Sequence, residues 1–180
     1  MACTHALCNA HHLRELTYVF EEMKQAWAKR LIDLLVAACH EVAAAGGSPA
    51  GERIAYYRAS YAEILAEGEA ANPRAPPSGR RGRTKQSKAL NLVDRLRTHA
   101  DDVWRFMTNH NVPFSNNLAE QAVRMPKVKQ KISGGFRTQA GLETFCTLRS
   151  YLATLHKQGA NPFLALTLAF QGHTPQPRFA

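Results

Sequence analysis

The chain has 180 residues, of which 45% are hydrophobic, so it is long enough to bury the core of one globular domain. Its formal net charge of +9, from 23 lysines and arginines against 14 acids, favours a polyanionic partner, and nucleic acid is the one we expect. No window of about 18 apolar residues occurs, no basic helix face adjoins an uninterrupted apolar one, and no signal peptide is recognisable, so we expect no membrane partner.

The first half of the chain predicts a short strand followed by helices. Residues 3–8 are compatible with one strand. Apolar residues then recur every three or four positions from about His11 to Val42, which predicts one long helix or two helices joined near Met23–Gln25. After a Gly- and Pro-containing stop, a further helix is expected from about Glu52 to Glu67.

The second half begins with residues 68–88, whose richness in Pro, Gly and Arg predicts a basic linker. The expected helices that follow it cover residues 86–109, 117–125, 138–158 and 162–170. Pro126 is expected to stop the second of them, and the residues after Phe170 are expected to form a frayed tail.

These elements predict a mainly α fold with at most one or two short strands. The corresponding division of the chain is a strand and helical segment at 1–67, the linker at 68–88, a helical region at 89–172 and a tail at 173–180. Trp27 and Trp104 lie on apolar helical faces and are predicted to be core residues. The four cysteines form no CxxC pair, which predicts a reduced, cytosolic setting.

One carboxylate, Glu120, stands directly before a basic run without acids. Its cations are Arg124, Lys127, Lys129, Lys131 and Arg137. The spacing alone favours a capping box, with Asn117 as the N-cap and Glu120 three residues later. The functional alternative is a carboxylate that ligates a divalent metal beside a bound phosphodiester, with the cations holding the rest of the backbone.

Segment 116–159, NNLAEQAVRMPKVKQKISGGFRTQAGLETFCTLRSYLATLHKQG, resembles the C-terminal catalytic signature of bacterial insertion-sequence transposases of the IS-sixty-six type. The segments LCNAHHLREL, QAWAKRL and GRTKQSKALNLVDRL resemble those that precede this motif, so the resemblance covers nearly the whole chain. It implies a helical insertion plus the C-terminal helices of an RNase H-like DDE transposase core. It also implies that Glu120 is the third acid of the catalytic triad and a metal ligand.

The resemblance implies further site residues around Glu120. Cys8, His11, Asn116 and Asn117 are expected to support the active site, although the C-x2-H spacing of Cys8 and His11 leaves half of a zinc site as an alternative. DNA-binding residues are expected in the basic run after Glu120 and in a second run in the linker. That second run consists of Arg80, Arg81, Arg83, Lys85 and Lys88, for which a solvated loop is the alternative interpretation.

Two departures from the family pattern matter. Gln121 stands where the family usually has an arginine, so one phosphate-facing cation is missing. The two aspartates of the triad belong to strands upstream of the LCNAHHLREL segment, whereas this chain begins seven residues before Cys8. The chain's own aspartates fall on predicted helices and are interpreted as solvated surface charges. They are Asp33, Asp94, Asp101 and Asp102.

We therefore expect the C-terminal portion of a transposase whose intact form cuts and rejoins DNA with Mg2+ or Mn2+. By itself this portion is expected to be inactive and to bind no metal stably. DNA is the expected partner, a homo-oligomer is a further option, and the expected location is cytoplasmic and nucleoid-associated. One alternative is an inactive helical module that binds DNA or dimerises; another is a remnant that does not fold alone.

Overall fold

The computed structural model describes residues 4–76 and 84–178, and every regular element within these ranges is an α-helix. The helices are α1 (Asn9–Glu21), α2 (Ala26–Ala45), α3 (Gly51–Ala70), α4 (Lys88–Thr98), α5 (Ala100–Val103), α6 (Arg105–Thr108), α7 (Asn117–Ser133), α8 (Gln139–Lys157) and α9 (Pro162–Phe170). The prediction of a mainly α fold is confirmed. None of these helices is long and apolar enough to cross a membrane.

The strand expected over residues 3–8 is wrong for the part that the structure describes. Residues 4–8 are irregular and lie against a helical segment: the Leu7 N–H donates to the Asp102 carbonyl over 3.0 Å, and the Arg105 Nε donates to the His5 carbonyl over 2.6 Å. A strand needs a neighbouring strand to complete its ladder of hydrogen bonds, and the described residues supply none.

Residues up to Asn116 form the first of two compact units. In it α1 packs on α2, α2 on α3, and α3 on α4. Trp27 is 4% exposed and Trp104 is 1% exposed, which confirms the prediction that both are core residues. The Trp104 ring contacts Tyr61 with centroids 5.3 Å apart and Phe106 at 6.0 Å.

Of the two alternatives for the residues from His11 to Val42, the prediction of two helices joined near Met23–Gln25 is confirmed. They separate at residues 22–25, where Lys24 adopts a left-handed backbone with φ 55°. The expected helix over residues 86–109 is interrupted as well, since His99 and Trp104 leave the helical conformation between α4, α5 and α6. Its start is capped by the Ser87 side chain, which accepts from the Leu90 N–H over 3.0 Å.

The predicted linker, residues 68–88, overlaps the end of α3 and reaches the start of α4, and both helices belong to the first unit. Its flanking helices α3 and α4 pack against each other at Gly68. A Cβ there would meet side-chain atoms of Trp27 on α2 and Val93 on α4 at 3.0 Å, a tight contact, so glycine favours the close approach of α3 to both helices. Arg80, Arg81 and Arg83 lie outside the residues that the structure describes.

Residues from Asn117 onward form the second compact unit, which contains α7, α8 and α9. The prediction that Pro126 stops the first of these helices is wrong, because α7 continues to Ser133 with Pro126 inside it. Proline has no N–H to donate to the Ala122 carbonyl and its ring crowds that carbonyl, so α7 continues through Pro126 at the cost of one backbone hydrogen bond.

The remaining helices of this unit follow the sequence prediction, but the tail does not. Thr138 caps α8, Gly159 follows its end at φ 82°, and Asn161 caps α9. The expected frayed tail is wrong as far as Arg178: the Tyr151 hydroxyl donates to the Pro175 carbonyl over 2.8 Å, and the Arg178 N–H donates to the Gln158 side chain over 3.0 Å. These long-range bonds were not visible in the composition of the tail.

Candidate nucleic-acid interface

One face of α7 carries the acid and three of the cations that the sequence singled out. Glu120, Arg124, Lys127 and Lys131 follow one another at intervals of four, three and four residues, which places them on one side of a helix. We call these four residues the charged face. Glu120 is half-buried, whereas the three cations are exposed. A polyanion that approached this face would meet three cations and one carboxylate.

A surface depression of about 390 Å³ lies along this helix beside the charged face. It is lined by Asn117, Glu120, Gln121, Val123, Arg124 and Lys127. The Gln121 amide occupies the position where an arginine was expected from the resemblance, so the depression holds two cations and not three. The depression is open to solvent and all of its lining residues except Val123 are polar or charged, which suits a hydrated anion better than an apolar ligand.

The predicted capping box at the start of α7 is not formed. The helix already includes Asn117, so Glu120 is its fourth residue, and the Asn117 side chain makes no hydrogen bond within the described ranges. A capping box requires the N-cap side chain to bond a backbone N–H and the acid to sit at N3. Glu120 still lies in the first turn, where the helix dipole favours a negative charge.

Lys129 and Arg137, the other two cations of the basic run after Glu120, do not belong to the charged face. Lys129 points from the side of α7 opposite to Lys127, two residues away, and its ammonium donates to the Ser133 hydroxyl over 3.2 Å. Arg137 is exposed in the turn between α7 and α8, after Gly134 and Gly135, both of which have positive φ. The structure therefore separates Lys129 from the charged face and leaves Arg137 beyond the helix.

In the first unit, three of the predicted supporting residues come together. The Cys8 Sγ and a ring nitrogen of His11 lie within 4.8 Å of each other, and the Asn116 N–H donates to the Cys8 Sγ over 3.4 Å. Asn117, the fourth, follows directly as the first residue of α7. Zinc in a structural site takes four ligands, and the described part of the first unit brings no third ligand-type side chain to Cys8 and His11.

Asn9, next to Cys8, was not singled out by the sequence. It is 1% exposed, its Nδ2 donates to the Val103 carbonyl over 3.0 Å, and its backbone N–H donates to the Phe114 carbonyl over 3.0 Å. The first bond holds the start of α1 against the end of α5, and the second holds it against the segment that precedes α7. An isolated asparagine in a helix start gives no sequence signal for such a role.

The second basic run is only partly described. Lys85 and Lys88 are exposed, and the Lys88 ammonium lies 5.0 Å from the centroid of the Tyr18 ring. Arg14 and Arg95, which the sequence reasoning missed, lie beside this pair in a groove between α1 and α4. No linear pattern connects residues so far apart in sequence; a signal exists only in the i, i+4 spacing of Arg14 and Tyr18.

The aspartates are ion-paired on the surface of the first unit rather than assembled into a site. Their cations are Lys29 for Asp33, Arg74 for Asp94, Arg58 for Asp101 and Arg105 for Asp102. The hydrogen bond from Arg105 lowers the pKa of Asp102 most, desolvation opposes it, and His99 lowers this pKa further. The four carboxylates are surface charges, as interpreted from the sequence, and each also has a cationic partner that the sequence did not predict.

The carboxylates of the described residues do not fit a two-metal centre. Such a centre needs several carboxylates around ions about 4 Å apart. In the second unit, the sequence offers one further carboxylate besides Glu120, namely Glu143, which accepts from Gln139 over 3.0 Å. Within either unit, the described residues bring no three carboxylates together.

The charged face lies in a part of the chain that matches a known protein family. The model of the family described as transposase IS66 family matches residues 1–144, which is 144 of the 180 residues and includes α1 to α7. No curated protein and no solved structure matches the chain.

Proposed function

The chain belongs to the transposase IS66 family, and on that premise we propose that it acts in DNA transposition as the C-terminal portion of a DDE-type transposase. The charged face of α7 would meet the DNA backbone. Arg124, Lys127 and Lys131 would hold phosphates, while the exposed Arg137 would add a contact beyond the helix. In the first unit, the exposed Lys85 would contact phosphates by itself. Phosphate contacts of this kind fix the position of DNA but do not read its sequence.

The observation that carries this proposal is the placement of Glu120 in line with three cations on one helix face. A solvated helix that had only to remain soluble would gain from acids interspersed with its cations, as in i, i+4 pairs. After Glu120, this helix has none. An uncompensated basic face gains free energy when phosphates replace the counterions around it.

We propose Glu120 as the triad glutamate, by its position in the matched family segment. Strand cleavage would require more carboxylates than the described residues bring to it, so we expect the chain alone to bind DNA without cutting it. The shortage of carboxylates favours a second candidate function: a helical DNA-binding module without catalytic activity. The two candidates differ only in whether Glu120 serves a reaction in a more complete assembly.

The experiment is duplex DNA binding by the full chain over a range of salt concentrations. If about six phosphates are neutralised, the logarithm of the binding constant should fall with the logarithm of salt at a slope of about −5. A slope near zero, or no binding at low salt, contradicts the proposal.

Two further arms define the role of Glu120. Without divalent metal, Glu120→Gln should tighten duplex binding by roughly two- to fivefold, because a negative charge close to phosphates is removed. With Mg2+ or Mn2+, supercoiled plasmid should stay intact in the presence of the wild-type chain. Metal-dependent nicking that Glu120→Gln abolishes would show that the chain is a complete nuclease. It would contradict the expectation that the chain alone binds DNA without cutting it.

A further inference from the structure

A second basic surface lies in the first unit, in a groove of about 450 Å³ between α1 and α4. The residues that line it are Arg14, Glu15, Tyr18, Val19, Lys88, Asn91, Leu92 and Arg95. Three cations and one carboxylate face this groove, and its floor includes two apolar side chains. The combination differs from that of the charged face, which has no aromatic residue.

The charges of this groove leave a net positive site. Arg95 donates to Glu15 over 2.6 Å, so this pair links α4 to α1 and is close to neutral. Arg14 makes no hydrogen bond or ion pair within the described ranges, and the Lys88 ammonium lies over the Tyr18 ring. Two cations, Arg14 and Lys88, are therefore available for a ligand in a groove that also presents the Tyr18 ring, which is 44% exposed.

We propose that this groove binds an unpaired nucleotide of single-stranded nucleic acid, with the base on Tyr18 and the flanking phosphates on Arg14 and Lys88. Lys88 is an exposed residue with a flexible side chain, so its ammonium moves from the ring to a phosphate as the base arrives. The paired Arg95 lines the groove and adds a donor beside the phosphate.

Shape favours an unpaired strand over a duplex. The bases of a duplex are stacked on each other and paired, so they cannot stack on the Tyr18 ring, whereas the bases of a single strand are free to stack on aromatic rings. Basic grooves with an aromatic platform are the usual means of binding single strands without sequence preference. The charged face of α7, by contrast, has no aromatic ring on which a base could stack, so it suits the phosphates on the outside of a duplex.

The basic run supports the same ligand. Lys88 is both the last cation of that run and a residue of the groove, and the sequence has no acid between Ala75 and Val93. Lys85, three residues before Lys88, is also exposed and adds a cation of the same sign on the described part of this run. This inference rests on the proposed function only in taking DNA as the nucleic acid.

The test is fluorescence anisotropy with the full chain and a labelled oligothymidylate of about twelve nucleotides, a length within the usual range of single-strand sites. Tyr18→Leu should weaken its binding by at least about fivefold, which corresponds to the loss of one stacked base. Arg14→Gln should weaken it and should also reduce the salt slope by nearly one unit, by about 0.7.

Tyr56→Leu is the matched control. Tyr56 is 53% exposed and has a cation over its ring, Arg53, at 4.9 Å, but that arginine is neutralised by Glu41. This variant should bind the oligothymidylate like the wild type. All three variants change exposed side chains, and an unchanged helical circular dichroism signal verifies that each is folded.

The outcomes separate this inference from the proposed function. If Tyr18→Leu and Tyr56→Leu have equal effects, or if neither Tyr18→Leu nor Arg14→Gln weakens oligothymidylate binding, the groove is not a single-strand site. Duplex binding that still depends on Lys127 would then leave the proposed function intact. Loss of single-strand binding in Tyr18→Leu with duplex binding retained supports the groove on its own.

Discussion

The backbone N–H of Asn116 donates to the Sγ of Cys8 over 3.4 Å, across 108 residues of sequence. Asn116 is the last residue before α7, and Cys8 is the last residue before α1. Two neighbouring bonds strengthen this junction: Asn9 donates its N–H to the Phe114 carbonyl and its side-chain amide to the Val103 carbonyl. Hydrogen bonds therefore hold the segment from Phe114 to Asn116, which precedes α7, against the start of α1.

Cys8→Ala should loosen this junction without unfolding the unit. A thiol is a weak acceptor, so the free energy of unfolding should fall by less than about 1 kcal/mol. Hydrogen exchange of the Asn116 amide should accelerate, because its acceptor is removed. Cys39→Ala, at a half-buried cysteine of α2, is the control and should leave that amide unchanged. Equal exchange rates in wild type and Cys8→Ala would show that the contact does not protect the amide.

Asn9→Ala should have a larger effect on stability. It removes the donor to the buried Val103 carbonyl, and a buried acceptor left without its partner costs about 1–3 kcal/mol. Urea denaturation measures this loss. Asn91→Ala is the comparison, since Asn91 is exposed and makes only a long bond to the Gln86 carbonyl at 3.4 Å. Losses of similar size in the two variants would argue against a special role for Asn9.

Much of this fold was predictable because it follows from local patterns. The apolar spacing of Trp27 and Trp104 places both on buried faces, and Thr138 and Asn161 cap their helices as short-range rules predict. Pro126 misled the prediction because a rule for one hydrogen bond was taken as a rule for the whole helix. The tail was misjudged because its partners on α8 are distant in sequence.

The candidate site divides in the same way. The charged face could be read from the spacing of Glu120, Arg124 and Lys127 once they are assigned to a helix, which also separates Lys129 from them. The sequence could not predict the junction of Cys8 with Asn116 or the groove of Arg14 with Lys88. Each joins residues that are far apart in the sequence of the first unit. Only the packing of the helices brings them together.

His12 should make the stability of the first unit sensitive to pH. It is 5% exposed, neither ring nitrogen has a hydrogen-bond partner among the described residues, and burial and then Arg95 lower its pKa from the ordinary 6.5. His11 and His99 lower this pKa further, and Glu15 opposes them. The unfolded chain thus takes up a proton at His12 before the folded chain does, so stability falls as pH decreases below about 6.5.

His12→Leu should remove this contribution. Above pH 7 both states hold a neutral imidazole, so the benefit of the substitution should grow on going from pH 7 to pH 5, at up to about 1.4 kcal/mol per pH unit. The measurement is the free energy of unfolding of wild type and variant in urea at both pH values. A difference between the two proteins that is the same at pH 7 and pH 5 would show that His12 titrates alike in the folded and unfolded chains.

The central claim is that the charged face of α7, and not the helix as a whole, meets DNA phosphates. Lys127→Gln and Lys129→Gln make the same chemical change two residues apart, on opposite sides of that helix. The direct measurement is the salt dependence of duplex binding for the two variants and the wild type. Lys127→Gln should weaken binding and reduce the log–log slope by about 0.9, whereas Lys129→Gln should leave the slope unchanged. Equal slopes for the two variants would contradict the account.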